Sequence, residues 1–109
     1  MSADIPAAEL IQLSDFAHYQ QGAVVSRTLL NRKAGTITLF AFDEGQGLSE
    51  HAAPFDALVH VLEGDADVTI AGAMLKVSKG EMTLMPANQP HALLARTRFK
   101  MLLTMIRSS

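Results

Sequence analysis

The sequence predicts an all-β domain, a sandwich or small barrel of two antiparallel sheets, and three features of the chain point there. Segments rich in Val, Ile, Leu, Thr and Phe recur with turn residues between them at intervals of about 8 to 12 residues, the rhythm of short paired strands. Several of these segments alternate apolar and polar residues, which is the period of a strand and not of a helix. A chain of 109 residues without internal repeat, low-complexity tract or linker makes one domain.

Taken in order, residues 23–31 and 36–42 read as strands, and Asn31-Arg-Lys-Ala-Gly35 supplies the turn of a hairpin. Asp43-Glu-Gly-Gln-Gly-Leu-Ser49 reads as a loop, its glycines permitting a tight change of direction. Strands follow over 57–63 and 66–71, joined at Gly64-Asp65, and Ala71-Gly72 turns the chain into 73–77. Residues 81–85 form the next strand, which Pro86 stops because proline has no amide hydrogen for a ladder. A loop to Pro90 precedes a strand over 91–96, and 99–106 is an apolar run suited to a strand buried on both faces. Before the barrel core of 23–106 lies an N-terminal arm, 1–22. Within it, Leu10, Leu13, Phe16 and Ala17 sit at helical spacing, yet Leu10-Ile-Gln-Leu13 could equally be an edge strand.

Composition removes several classes of function. Apolar residues make up 49% and charged residues 18%, a profile that suits a packed core and not a disordered chain. A formal charge of −2 leaves no footprint for nucleic acid. Arg96, Arg98, Lys100 and Arg107 are read as a solvated face. Cysteine is absent, which excludes disulfides, thiolate ligands and a thiol nucleophile. The first ten residues lack the basic start and apolar run of a signal peptide, and no stretch approaches the roughly 18 apolar residues of a membrane span. A cytoplasmic protein is expected.

Two glycine-framed segments carry the chemistry. The first runs from Gly45 through His51 to Gly64, and the second from Gly80 through Pro86 and Asn88 to His91. Their spacing resembles the two motifs of the cupin superfamily, G(X)5HXH(X)3-4E(X)6G and G(X)5PXG(X)2H(X)3N. The resemblance implies a double-stranded β-helix, a jelly roll, with metal ligands at the two His and Glu of the first motif and the His of the second. Those positions fall on His51, Ala53, Ala57 and His91, so two imidazoles remain and two ligands are replaced by methyl groups. Asn88 stands for the motif's glycine and tolerates the left-handed backbone such a turn requires. Ala95 stands for its asparagine. Ser26-Arg-Thr-Leu, His51-Ala-Ala-Pro-Phe-Asp-Ala-Leu-Val and Met85-Pro-Ala-Asn-Gln-Pro-His-Ala-Leu look like small single-domain cupins with a degenerate first motif, which implies a homodimer.

Strand parity turns Ala57, Val59 and Val61 to one face and His60 to the other. His91, Leu93 and Ala95 share a face that the resemblance turns inward. The expected pocket is therefore His51, Val59, Val61, Met85, His91 and Leu93, with the two imidazoles at its mouth. Two imidazoles fall short of the three protein ligands that zinc or non-haem iron ordinarily takes, and the nearest carboxylates, Glu50 and Asp56, are out of phase with the ligand positions.

His51 and His91 are read as a pair that orients a ligand, His60 as an outward packing residue and His18 as surface. Met74, Met82, Met85, Met101 and Met105 are read as core fillers, with a Met-lined pocket for varied apolar ligands as the alternative. Asp65 and Asp67 are read as an outward, solvated edge.

Two functions remain. The first is a non-enzymatic barrel that binds an unknown small molecule without a cofactor, in a cavity enlarged by the loss of polar ligands. The second is a metal-dependent oxygenase or isomerase holding Fe, Cu, Zn or Ni weakly at His51 and His91.

Overall fold

The computed structural model describes residues 4–108. Nine strands follow one another: β1 Val24–Arg32, β2 Gly35–Phe42, β3 Gly47–His51, β4 Phe55–Glu63, β5 Asp65–Ile70, β6 Ala73–Ser78, β7 Met82–Met85, β8 His91–Ala95 and β9 Phe99–Arg107. They form two antiparallel sheets, a five-stranded one in the order β1-β2-β9-β4-β7 and a four-stranded one in the order β3-β8-β5-β6. The all-β architecture and the two sheets are those the alternating pattern predicts.

The core lies between the sheets because each strand sends every second side chain inward. Val59, Val61, Val68 and Met101 are fully buried there, and Phe42 stacks on Phe99 with ring centroids 4.5 Å apart. Gly64 makes the β4–β5 turn at φ 78°, where a side chain would collide with the Arg98 carbonyl. Asn88 adopts φ 65°, the conformation its place in the second motif requires, and its amide donates to the Ala53 carbonyl at 2.8 Å. That bond ties the turn before β8 to the loop after β3.

A second apolar cluster lies on the outer face of the five-stranded sheet, under the N-terminal arm. The arm is not an edge strand. It is irregular chain with one 3-10 turn at Leu13–Phe16, because Leu13, Phe16 and Ala17 all face down onto Leu29, Leu39 and Ala41 instead of alternating. Leu29 lies in a bulge, where the β1–β2 pairing steps from Thr28 to Leu30, and its carbonyl accepts the Ile5 amide at 2.9 Å.

The latch of the arm is polar. Tyr19 donates its hydroxyl to Glu63 at 2.6 Å, and burial first, then Glu63, pushes its phenol well above the usual range. Lys100 belongs to this latch and not to a solvated face. It is buried, its Nζ donates to the Ser14 carbonyl at 2.7 Å, and it lies over the Tyr19 ring.

Four other expectations are corrected. Residues 47–49, the end of the expected loop, belong to β3, since pairing with β8 overrides a polar, glycine-containing sequence. Asp65 and Asp67 are on β5, an interior strand between β8 and β6, and Asp67 pairs with Arg96. Met74 and Met82 are exposed, on outward positions of the edge strands β6 and β7, whereas Met85 and Met101 are core. The last strand is enclosed on both faces only at its beginning, since Ile106 lies beyond the arm and is 54% exposed.

Candidate functional site

The site forms where β3 ends and β8 begins. His51 and His91 are direct cross-strand partners, so the sheet itself brings them together, with ring centroids 4.5 Å apart and planes at 70°. His91 is buried and His51 exposed, which sets one imidazole in the wall and the other at the rim. The His51 Nδ1 lies 2.8 Å from the Ser49 carbonyl, and the His91 Nδ1 lies 3.2 Å from the Gln89 carbonyl. A carbonyl oxygen only accepts, so each Nδ1 is the nitrogen placed to carry a proton, and Nε2 is the nitrogen of each ring left to face a ligand. Burial, and next the charge of His51, push the His91 pKa below its ordinary value, with the Gln89 carbonyl opposing the shift. Near neutral pH the site therefore offers an imidazole acceptor.

Behind the pair is a largely enclosed cavity of about 40 Å³. The four-stranded sheet contributes Leu48, His51, His91 and Leu93 to its lining, and the following loop contributes Ala53. The five-stranded sheet contributes Phe55, Ala57, Met85, Leu103 and Met105. Of the expected pocket residues, His51, Met85, His91 and Leu93 are in place. Val59 and Val61 face inward as expected but lie deeper, fully buried in the core, and do not line the cavity. Parity finds the face of a strand but not the depth along it.

Phe55 shares the parity of Ala57 and was legible by that rule. Leu103 and Met105 were not, because the last strand is apolar on both faces and offers no alternation to read.

The space left by the missing ligands is filled, not vacated. Ala57 pairs in register with Met85 on one side and Met105 on the other, so two thioethers flank the position where the cupin motif has its glutamate. The cavity is apolar as expected but not enlarged. It exceeds the roughly 10–15 Å³ a water needs and falls well short of the roughly 300 Å³ of a typical ligand cleft.

Neither nearby carboxylate completes a metal site. Asp56 projects from the opposite face of β4 and accepts the Ala87 amide at 2.9 Å, and Glu50 is exposed. Among the described residues, no three His, Cys, Asp or Glu side chains are grouped to hold a metal. The nitrogen and oxygen donors present thus do not fit the divalent centre that the motif implies. His60 is on the outer face between Leu102 and Met82, and His18 is exposed.

The sequence matches the family model described as "Cupin domain" over residues 38–106. The chain belongs to the cupin family. Among solved structures, this cupin is similar to a conserved protein of unknown function from Streptococcus pyogenes, with 37% identity, a TM-score of 0.92, and coverage of 100% of this chain and 97% of that one. It is also similar to a cupin superfamily protein from Desulfitobacterium hafniense, with 26% identity, a TM-score of 0.89 and 96% of each chain covered. A cupin 2 conserved barrel domain protein from Leptotrichia buccalis is 37% identical with a TM-score of 0.85, over 89% of this chain and 47% of that one. No curated protein matches. These likenesses establish the cupin jelly roll and leave activity to the chemistry of the pocket.

Proposed function

We propose that this cupin is a non-enzymatic binding module for a small molecule that carries a hydrogen-bond donor next to a short apolar group. The observation that carries the reading is the pair of imidazoles at the mouth of an apolar cavity, each with its Nδ1 against a backbone carbonyl. Their Nε2 atoms accept from an alcohol, phenol or amide, while Leu93, Leu103 and the methionines enclose the apolar group. The small cavity limits the enclosed part to a few heavy atoms, and the remainder of the ligand would extend past exposed His51. A homodimer and a cytoplasmic setting are part of the same proposal.

Titration of isotope-labelled protein with a panel of small alcohols, phenols and amides tests it by NMR. Binding should shift the His51 and His91 ring nitrogens together, and His91→Phe should abolish the response. A panel that moves neither ring, or binding unaffected by His91→Phe, would overturn the reading.

The second reading, a weakly metallated oxygenase or isomerase using His51 and His91, is supported by the same two Nε2 lone pairs. Purification without chelator separates the two: one firmly held divalent metal per chain would put the enzyme first.

A further inference from the structure

The mouth of the cavity has a second side. His51 and His91 flank it from the four-stranded sheet, and Phe55 stands at the same end of the five-stranded one. Register pairs Phe55 with Arg107 and Ala57 with Met105, and Phe55, Ala57 and Met105 all line the cavity. Alternate residues of a strand share a face and two residues rise about 7 Å, so Arg107 stands one step beyond Met105, just outside the lining. Its backbone is fixed there. The Arg107 amide donates to the Ala34 carbonyl at 2.8 Å, and the Ser108 amide donates to the Pro54 carbonyl at 3.0 Å. The guanidinium lies over the Phe55 ring, 5.1 Å from its centroid.

This cation is not neutralised. Arg32, Arg96 and Arg98 each pair with an aspartate, and Arg27 lies over Phe16 of the arm. Among the described residues Arg107 has no carboxylate partner, it is exposed, and no carboxylate lines the cavity beside it.

We infer that the ligand of this pocket is a short-chain hydroxycarboxylate, with its carboxylate on Arg107, its hydroxyl at the imidazoles and its alkyl end in the cavity. The planar fork of a guanidinium matches a carboxylate with two parallel hydrogen bonds, and the Phe55 ring supports the plane of that fork. One guanidinium balances one negative charge. A phosphate dianion calls for a second cation, and no lysine lines the cavity. The cavity of about 40 Å³ admits only a short alkyl end, which leaves the charged end outside, where Arg107 is. The inference rests on the preceding reading and extends it by naming the ligand's class.

The test is a titration of the full chain, followed by NMR, with β-hydroxybutyrate and with the uncharged butanediol of the same skeleton. The acid should bind about tenfold or more tightly than the diol at low salt, and the preference should shrink as salt is added. Arg107→Gln should bring the acid down to the affinity of the diol. Arg107→Lys should keep part of the preference, because an ammonium supplies the charge without the fork. Lys76→Gln, which removes an exposed charge from β6, should leave the preference as it was. A diol that binds as tightly as the acid, or a preference for the acid that survives Arg107→Gln, would overturn the inference. If the diol shifts the histidine rings and His91→Phe abolishes that response, while the acid has no advantage, this inference fails and the small-molecule reading stands. If the acid binds through Arg107 and His91→Phe has no effect, the imidazole reading fails and the carboxylate site stands.

Discussion

At Ala57 a single residue decides what the pocket is. It is almost fully buried and set between two methionines, so a larger side chain there has only the small cavity of about 40 Å³ to enter. Ala57→Glu should accordingly be costly in metal-free protein, by about 3–5 kcal/mol in chemical denaturation, since it buries a charge without a partner and crowds the row. Adding Ala53→His supplies the fourth of the cupin ligands. With His51 and His91 the double variant should recover stability when zinc(II) is added, following mass action. Recovery without metal, or none with it, would show that these positions no longer aim at one point. The two alanines and two histidines were legible in the sequence because the motif fixes their spacing. That methionines would close the gap was not, because Met105 is on a strand without alternation and Met85 reads equally as core.

The elements around the site are held by polar contacts that strand patterns do not reveal. The arm is the clearest case. Its apolar residues were visible in the sequence, but their landing place depends on the β1 bulge at Leu29 and on a lysine, Lys100, whose burial no local rule foretells. Asp43 joins three pieces of this region. Its carboxylate accepts from Arg98 at 2.8 Å, from the Gly22 amide at the end of the arm and from the Glu44 amide at the start of the loop leading to β3.

The Arg98 hydrogen bond first, and the Gly22 amide next, hold the Asp43 pKa down to about 2, against an ordinary 3.8. A carboxylate depressed in the folded state stabilises above its unfolded pKa, and that contribution is lost as pH falls through the folded value. Thermal melting should therefore show the parent losing its advantage over Asp43→Asn between about pH 4 and pH 2. Above that window the difference should be constant. A gap that does not narrow on acidification would mean that Asp43 does not serve as this tie.

On the scale of the whole molecule, the jelly roll was legible almost strand by strand, since turn residues and two-residue periodicity report directly on a sheet with one buried face. What periodicity cannot say is whether the other face stays open. The arm covers the outer face of the five-stranded sheet over Leu29, Leu39 and Ala41, and stops there. Beyond it, register aligns Ile37, Thr104, Leu58 and Leu84 in one row, and carries the row that begins at covered Leu39 on through Leu102 and His60 to Met82. Leu84, Met82 and Ile106 are each at least half exposed, and an open apolar groove of about 310 Å³ runs beside Leu30, Ile37 and Ile106. Apolar rows of this kind beside an edge strand attract a partner, and a second copy placed about a two-fold axis would cover both patches at once.

The expected outcome is a mass of twice the chain by sedimentation at micromolar concentration. Leu84→Lys combined with Ile106→Lys should leave a folded monomer, because both side chains already face outward and neither supports the core. The far-ultraviolet circular dichroism of the variant should match the parent. A parent that sediments as a monomer, or a double-lysine variant that remains dimeric, would place the interface elsewhere or nowhere.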